Sequence, residues 1–334
     1  LAHLGRPKGA HVPDLSLAIL RAPLAECLGT DVTFAAQLEP SAIVDGGVTL
    51  MENVRFEPGE EANDPAFAAR LAALGAVYVN DAFSCAHRAH ASTQGITAHL
   101  PSFAGLQMLA ELDALSTALE NPVRPVAAVV GGAKVSTKIP VLENLVGKVD
   151  VLIIGGGMAN TFLAQRGYEV GTSLHEADQL ETVERVLTAA QAAGCKILLP
   201  SDFIAADAFS ADADQVTVPA DQCPADRMIL DVGPATVGEL RDAISTCRTI
   251  LWNGPMGAFE MAPFANGTVM LAKAVAALTR DGKLTSVAGG GDTVAALNAA
   301  GVAGDFSYVS TAGGAFLEWL EGRTLPGVAA LQTG

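Results

Sequence analysis

Residues 126–138 read Val126-Ala127-Ala128-Val129-Val130-Gly131-Gly132-Ala133-Lys134-Val135-Ser136-Thr137-Lys138. The first five side chains are small or β-branched and carry no charge, which is typical of a strand buried on both faces of a parallel sheet. A Gly-Gly turn follows, and the residues after it begin a helical pattern. This stretch therefore predicts one strand–turn–helix unit of an α/β protein.

The same order recurs along the second half of the chain. Each apolar run leads into a turn that contains glycine or proline: Val149–Ile154 into Gly155–Met158, Cys195–Leu199 into Pro200–Asp202, Thr249–Trp252 into Asn253–Pro255, and Leu284–Ala288 into Gly289–Thr293. Strands that alternate with helical segments predict βαβ units and parallel sheets covered on both faces.

A break in this pattern predicts a domain boundary. The helical stretch Leu106–Leu119 gives way to Glu120–Pro125, which contains two prolines and no apolar period and is typical of a linker. We therefore predict a front domain over residues 1–118 and a second α/β domain over residues 119–321.

Length and charge exclude several classes of protein. The chain has 334 residues, half of them hydrophobic, which suits two domains with sizeable cores. Asp and Glu number 36 against 20 Lys and Arg, so the formal net charge is −16 at pH 7. This charge argues against general binding to nucleic acid or to an anionic membrane surface, since both need a basic face. No apolar run approaches the ~20 residues that span a bilayer.

Five cysteines lie far apart without a Cys-x-x-Cys pair: Cys27, Cys85, Cys195, Cys223 and Cys247. This spacing is typical neither of a zinc site nor of a disulfide framework, and it fits a reducing cytosol. Cys85 is open to two interpretations, a reactive thiol or a buried inert one.

Arg6 and Lys8 come too early for a signal peptide, so we expect a cytoplasmic protein. Because Leu1–Gly5 resembles the end of a strand and no methionine precedes it, we expect a sequence truncated at the front.

The glycine turns predict an anion site. In a parallel sheet every strand-to-helix turn lies at the carboxyl edge, where ligands bind. Glycine there lets backbone N–H groups approach a phosphate, and the following helix adds the positive end of its dipole. Several such turns favour a nucleotide or another phosphorylated ligand over glycines that serve turn geometry alone. The P-loop pattern is absent, and Gly155–Gly157 has the wrong spacing for a dinucleotide fingerprint.

Lys134 and Lys138 are four residues apart, so on a helix they would share one face at its start. Two such ammonium groups repel each other unless an anion lies between them or solvent screens them. The pair follows a buried strand in a chain with only 20 basic residues, which favours contact with a polyphosphate over a solvated pair. At the turn Gly290-Gly291-Asp292-Thr293, the carboxylate of Asp292 is either a helix N-cap or, beside phosphates, a Mg²⁺ ligand.

The front half places an arginine after each of three predicted strand ends. Arg6 lies in His3-Leu4-Gly5-Arg6-Pro7-Lys8-Gly9, Arg55 follows the apolar stretch Val48–Met51, and Arg88 follows the predicted strand Ala76–Val79. His3 and His87 flank them. A lone arginine after a strand usually forms a surface salt bridge, whereas three at the carboxyl edge of one sheet predict binding of phosphate or carboxylate. Arginines in one domain and lysines with glycine turns in the other predict a small-molecule kinase.

These motifs together resemble the phosphoglycerate kinase family from residue 1 to about residue 331. The runs that carry the resemblance are His3–Gly9, Glu52–Phe56, Asn80–Phe83, Ala86–His90, Gly131–Lys138, Gly155–Met158, Trp252–Gly257, Gly289–Thr293 and Leu325–Val328. Each run alone is weak evidence, but all of them in this order are specific to the family. The resemblance implies two Rossmann-like domains with parallel sheets joined by a hinge helix, with residues 322–334 packed on the front domain.

The resemblance also implies reversible, Mg²⁺-dependent transfer of a phosphoryl group from 1,3-bisphosphoglycerate to ADP, giving 3-phosphoglycerate and ATP, by a monomer without nucleic-acid or membrane partners. The residues carried over for phosphoglycerate are His3, Leu4, Gly5, Arg6, Arg55, His87 and Arg88. Those carried over for the nucleotide are Lys134, Lys138, Gly233, Asn253, Glu260, Gly290, Gly291, Asp292 and Thr293. Lys138, Lys134 and Arg6 are expected to be catalytic, Glu260 to bind the ribose, and Asp292 to lie near Mg²⁺.

One departure leaves alternatives open. The family opens with a strand and helix that bear an Asp/Asn pair for the substrate hydroxyls and an arginine for the transferring phosphoryl group, and we find no such segment in this sequence. Its absence supports a non-catalytic, kinase-like binding protein as one alternative. The other is an NAD-dependent dehydrogenase, which would need a dinucleotide fingerprint and a distal acidic residue that we do not find.

Overall fold

The computed structural model describes residues 1–332. These residues divide into two compact units: the first unit comprises Leu1–Ala110 with the described residues from Thr324 onward, and the second unit comprises Glu111–Arg323. The first division lies eight residues before the predicted domain end at 118, and the second lies two residues after the predicted end at 321. The chain leaves the first unit within a helix, where the sequence carries no break signal.

The regular elements before the first division, in chain order, are α1 (Arg21–Leu28), β1 (Val32–Ala35), β2 (Val48–Met51), α2 (Pro58–Glu61), α3 (Pro65–Ala72), β3 (Tyr78–Asn80) and β4 (Ser102–Ala104). Helix α4 (Leu106–Leu115) spans the division and ends in a turn of π-helix over Ser116–Glu120.

The strands of the first unit form two parallel pairs, β1 with β2 and β3 with β4. Our prediction of one sheet with all three arginines along its carboxyl edge is therefore wrong. Arg55 follows β2 and Arg88 follows β3, which belong to different pairs. Leu1–Gly5 forms no strand, because its carbonyls accept hydrogen bonds from the Val54 backbone and from the Asn53 and Arg55 side chains rather than from a ladder.

The elements of the second unit after α4 are β5 (Val126–Val130), α5 (Ile139–Leu145), β6 (Val151–Ile154), α6 (Gly157–Gln165), α7 (Leu180–Ala193), β7 (Lys196–Leu198), β8 (Asp202–Ala206), β9 (Gln215–Pro219), β10 (Met228–Val232), α8 (Pro234–Ser245), β11 (Thr249–Asn253), α9 (Asn266–Arg280), β12 (Thr285–Gly289), α10 (Gly291–Ala299), β13 (Tyr308–Ser310) and α11 (Gly313–Leu320).

A six-stranded parallel sheet forms the centre of the second unit, in the order β13-β12-β11-β5-β6-β7. Val126 of β5 lies opposite Thr249 of β11, and Ala127 lies opposite Val151 of β6. The strands predicted in this half are confirmed, each within two residues of its predicted bounds. All five residues of β5 are buried, as its uncharged composition predicts.

A second sheet, antiparallel and ordered β10-β8-β9, was not predicted. Strand β9 exposes four of its five residues, so no apolar run marks it in the sequence. Strand β13 was missed as well, because its sequence Tyr-Val-Ser contains no apolar run. The α/β class with a parallel sheet is confirmed, and this antiparallel sheet is an addition to it.

The core of the second unit joins the parallel sheet to helices α8, α9 and α10. Trp252 of β11 and Leu271 of α9 are 1% and 0% exposed. Burying each large apolar side chain of this kind contributes about 1.5–3 kcal/mol to the stability of the fold. The core therefore holds the carboxyl ends of β5, β11 and β12 in fixed relative positions.

The helix α12 (Pro326–Gln332) belongs to the first unit. The Gly327 N–H donates a hydrogen bond to the Ala86 carbonyl (2.8 Å), just before Arg88. None of the helices in residues 1–332 combines the length and the apolarity needed to cross a membrane.

Glycine turns of the second unit pack backbone against backbone at the carboxyl edge of the parallel sheet. A Cβ on Gly131 would lie 1.9 Å from the Pro255 carbonyl oxygen. A Cβ on Gly156, whose φ is +67°, would lie 2.7 Å from the Gly132 carbonyl oxygen. The Gly156 N–H also donates to the Met256 carbonyl (2.9 Å). These glycines are therefore required by the close approach of the turns, whatever ligand the turns also bind.

Gly131→Ala is expected to lower the free energy of unfolding by about 3 kcal/mol, because the new methyl group meets a backbone oxygen that cannot move without shifting the turn after β11. Urea unfolding measures this change. Gly238→Ala is the matched control: position 238 lies inside α8 with open space around the Cβ, so alanine is expected to raise the free energy of unfolding by about 0.5–1 kcal/mol. Equal stability of the two variants would contradict the packing of the turns.

Candidate functional site

Arg55 is the buried cation of the first unit. It follows β2, where its own N–H donates to the Asn53 side chain (3.1 Å), and only 4% of its side chain is exposed. Its Nη1 donates to the Gly5 carbonyl (2.9 Å), and its Nε lies 3.6 Å from the Glu61 carboxylate. Burial and then the charge of Arg88 lower the pKa of this guanidinium. The loop after Leu4 and the segment after β2 are thus joined by one arginine.

The charges of Arg55 and Arg88 both act on His3, and the charge of Arg88 also acts on Arg55. Burial, followed by the charges of Arg55 and Arg88, lowers the pKa of His3 to about 4, so this imidazole is neutral at pH 7. Arg88 Nε donates to His87 Nε2 (3.2 Å), which fixes the plane of the guanidinium. At neutral pH the positive charge of this cluster therefore comes from its arginines.

Leu4 and Gly5, also predicted for this site, contribute backbone carbonyl groups. The Leu4 carbonyl accepts from Asn53 Nδ2 (2.8 Å), and the Gly5 carbonyl accepts from Arg55. Arg6 follows directly and is exposed. His3 and Arg55 line a cavity of about 520 Å³ within this unit. Its wall also includes Glu60, Asn80, Asp81, Cys85, His90, Ser92 and Thr93.

Lys138 is the half-buried cation of the second unit. Its ammonium donates a hydrogen bond to Asn253 Oδ1, and Asn253 Nδ2 donates to the Gly289 carbonyl (2.8 Å). These contacts join the exits of the neighbouring strands β5, β11 and β12. Burial lowers the pKa of Lys138, while the charges of Asp292 and Glu321 oppose that shift.

Our prediction that Lys134 and Lys138 share a helix face is wrong. Lys134 is extended (φ −131°, ψ 132°), residues Val135–Thr137 form one 3₁₀ turn, and α5 begins at Ile139. The cause is Pro140, which has no N–H to donate to the carbonyl four residues before it, so the α-helix cannot extend back through Lys138. Lys134 is exposed beside the turn.

A cavity of about 360 Å³ lies within the second unit between the glycine turns and the antiparallel sheet. Its wall combines the turns at Gly132 and Gly156 with apolar side chains such as Leu174, Phe209 and Leu230. The carboxylates of Asp231, Glu260 and Asp292 also line it. A mainly apolar wall with a few polar groups is typical of a small-molecule site.

Helix α10 begins after Gly290, whose φ is +100° and which is the N-cap. Asp292 therefore lies inside the first turn, and the N-cap interpretation of this residue is wrong. It is exposed at the cavity, next to Gly291, where a Cβ would meet open space. Thr293 is buried, and its hydroxyl accepts the Gly254 N–H (2.7 Å), so this side chain holds the turn after β11.

Gly233 is the N-cap of α8. A Cβ at this position would lie 2.2 Å from a carboxylate oxygen of Asp202, so packing alone requires glycine.

Comparison with known proteins assigns the family. The sequence profile described as phosphoglycerate kinase matches residues 1–323. The chain belongs to the phosphoglycerate kinase family. It is 59% identical over 339 residues to the phosphoglycerate kinase of Sphingopyxis alaskensis and 60% identical over 339 residues to that of Methylobacterium radiotolerans, and each alignment covers 99% of this chain and 85% of the relative.

Solved structures of phosphoglycerate kinases also match the fold of this chain. The enzyme from Coxiella burnetii matches with a TM-score of 0.94 at 44% identity, covering 99% of this chain and 85% of that one. The enzyme from Pyrococcus horikoshii matches with a TM-score of 0.79 at 29% identity, covering 95% of this chain and 82% of that one. The predicted fold class and the predicted glycolytic kinase, a phosphotransferase, are thereby confirmed.

Two features of this phosphoglycerate kinase site were missed from the sequence. Gly313 begins α11, and a Cβ there would lie 4.0 Å from the Gly291 nitrogen, so the N-termini of α10 and α11 meet. The signal was the glycine pair after β13, a strand that contains no apolar run. The second feature is the acidic pair Glu60 and Glu61 beside Arg55, which gave no signal because adjacent acids usually face solvent.

Asp231 was also missed. It is 1% exposed at the end of β10, and its two carboxylate oxygens accept the N–H groups of Val232 (2.9 Å) and Gly267 (2.8 Å). Burial raises the pKa of this carboxyl to about 7, although both hydrogen bonds lower it. The acid is therefore protonated in the folded kinase over a pH range in which an exposed Asp is ionised.

This carboxyl is expected to make the free energy of unfolding fall as the pH rises. Its folded pKa of about 7 exceeds the ordinary 3.8, so its contribution is full below pH 3.8 and is lost as the pH rises through 7. Asp231→Asn cannot titrate. The difference in unfolding free energy between wild type and this variant is expected to decline by on the order of 3 kcal/mol between pH 4 and 7.5. Urea unfolding at a series of pH values measures it, and a difference independent of pH would contradict the burial of a titrating acid.

Proposed function

We propose that this chain transfers a phosphoryl group reversibly from 1,3-bisphosphoglycerate to ADP, giving 3-phosphoglycerate and ATP, with the phosphoglycerate held by the first unit and the nucleotide by the second. One observation carries this division of roles: Arg55 and Arg88 form the cation cluster of the first unit, and Lys138 is the anchored cation of the second. Phosphoryl transfer depends on positioned positive charge more than on covalent chemistry.

In the first unit, guanidinium groups suit phosphoglycerate because they bind phosphate and carboxylate through paired hydrogen bonds. Arg55 Nε has no hydrogen-bond partner among residues 1–332, so a buried donor is left for a ligand oxygen. Neutral His3 would donate a hydrogen bond without adding charge. We assign His87 to orienting Arg88, and exposed Arg6 to the transferring phosphoryl group.

In the second unit, we assign the nucleotide phosphates to Lys138, to exposed Lys134 and to the N-terminus of α10. The Gly290–Gly291 turn offers backbone N–H groups there. Asn253 holds the Lys138 ammonium in place. Glu260 lines the cavity whose wall is mainly apolar. A carboxylate beside apolar side chains suits a ribose hydroxyl next to a flat base. Gly233 and Thr293 support this site by packing rather than by contact.

The residues present fit Mg²⁺ as an ion carried by the nucleotide. Residues 1–332 contain no group of three or more metal-ligating His, Cys, Asp or Glu side chains, so these residues form no metal cage of their own. Mg²⁺ commonly takes one or two carboxylates, several waters and substrate phosphates. Asp292, exposed at the cavity and at the start of α10, would supply that carboxylate. The bound ion would neutralise charge on the phosphate oxygens.

We further propose a cytoplasmic monomer without nucleic-acid or membrane partners. All five cysteines are free thiols, which suits a reducing compartment. The net charge of −16 disfavours polyanionic surfaces.

Lys138→Ala is expected to lower kcat for Mg²⁺-dependent phosphorylation of 3-phosphoglycerate by ATP by a factor of about 10²–10³, because it removes charge from the transition state. Circular dichroism is expected to show an intact fold. Lys283→Ala is the control, since that exposed lysine pairs only with the neighbouring Asp281 (2.9 Å) among the described residues. A near-normal kcat in Lys138→Ala would refute the role of this lysine. Absence of turnover in the unaltered chain would favour the non-catalytic binding protein.

A further inference from the structure

We propose that Glu60 is a positioning residue for phosphoglycerate: its buried carboxylate fixes the loop Arg88–Thr93, and through this loop it sets the place of the Arg88 guanidinium. The inference rests on the proposed role of the first unit in binding phosphoglycerate. It assigns a function to an acid that the predicted site did not contain.

Glu60 makes a dense set of contacts with one loop. It lies in the single turn α2 and is 2% exposed. One carboxylate oxygen accepts the Ser92 N–H (3.0 Å), and the other accepts the Ser92 hydroxyl (2.5 Å). The Glu60 backbone carbonyl accepts the Ala91 N–H (3.0 Å), and His90 Nδ1 lies 3.7 Å from the carboxylate. Two successive residues of the loop, Ala91 and Ser92, are thus hydrogen-bonded to one residue.

The loop passes this constraint on to Arg88. Thr93 follows the anchored Ser92, and its hydroxyl donates to the Arg88 carbonyl (2.7 Å) while accepting the His90 N–H (3.1 Å). Tyr78 of β3 donates to the Ser92 carbonyl (2.7 Å) from the other direction. Displacement of Ser92 would therefore displace the backbone from which the Arg88 side chain extends.

Charge gives a second reason for an acid at this position. Arg55 and Arg88 repel each other, as the lowered pKa of Arg55 indicates, and the charges of Glu61 and Glu60 both oppose that shift. Glu61 reaches Arg55 directly and is largely solvated, with 41% of its side chain exposed. Glu60 is 2% exposed, and its charge also opposes the shift at Arg55, so this buried acid compensates the arginines while both its oxygens stay bonded to Ser92.

Packing alone does not account for this residue. Burial raises the pKa of the Glu60 carboxyl, and the two hydrogen bonds from Ser92 lower it. An apolar side chain in the same space would avoid the cost of burying a carboxylate. The contacts with the loop are what the carboxylate adds.

The test compares Glu60→Ala, Ser92→Ala and the double variant by calorimetric titration with 3-phosphoglycerate and, separately, with MgADP. Each single variant is expected to raise the Kd for 3-phosphoglycerate at least tenfold, by loosening Arg88, and to leave the Kd for MgADP within twofold. The double variant is expected to lose much less than the product of the two single effects, because both remove the same contact. Glu57→Ala is the matched control: Glu57 borders α2, and its carboxylate pairs with exposed Arg70 at 3.3 Å.

Amide hydrogen exchange of the unliganded chain gives a readout that does not depend on ligand. Glu60→Ala is expected to speed exchange of the Ser92 N–H at least tenfold, and Glu57→Ala is not. Unchanged exchange, an unchanged Kd for 3-phosphoglycerate, or equal losses for both ligands would overturn the positioning role. If the unaltered chain does not bind 3-phosphoglycerate, the proposed function of the first unit fails, and with it the link to phosphoglycerate, while the exchange rates still decide whether Glu60 anchors the loop.

Discussion

The hydrogen bonds that run from Lys138 to Asn253 and from Asn253 to the Gly289 carbonyl are the constraint on which the second unit depends. They place one ammonium group where three neighbouring strands leave the parallel sheet. The glycine turns can meet there only because they lack Cβ atoms, and Thr293 closes the turn after β11. Sheet, turns and helix starts therefore create a rigid cationic edge beside a largely apolar cavity.

In the first unit the cations are arginines, whose charges acidic residues compensate. The charge of Arg88 lowers the pKa of buried Arg55, so repulsion between the two guanidinium groups disfavours the cluster unless something opposes it. His3 stays neutral because burial and the arginines lower its pKa to about 4. The negative charges of Glu61 and Glu60 both oppose the lowering of the pKa of Arg55. The cluster is therefore organised before any ligand arrives, which reduces the cost of arranging it on binding.

Much of the second unit could be predicted from its sequence, and less of the first. Buried parallel strands such as β5 have uncharged runs ended by glycine, and these periodic signals were interpreted correctly. The antiparallel strand β9 is exposed and carries no such run. The predicted pairing of Lys134 with Lys138 failed because one proline, Pro140, overrides helix spacing. Glu60 could not have been found, since its contacts with Ser92 join residues 32 apart in the chain.

The central claim is that each unit carries its own anion site, and calorimetric titration of Arg88→Ala tests it most directly. The account predicts that the Kd for 3-phosphoglycerate rises at least tenfold while the Kd for MgATP stays within twofold of the unaltered chain. Equal weakening of both ligands, or weakening of MgATP alone, would contradict the assignment of separate sites to the two units.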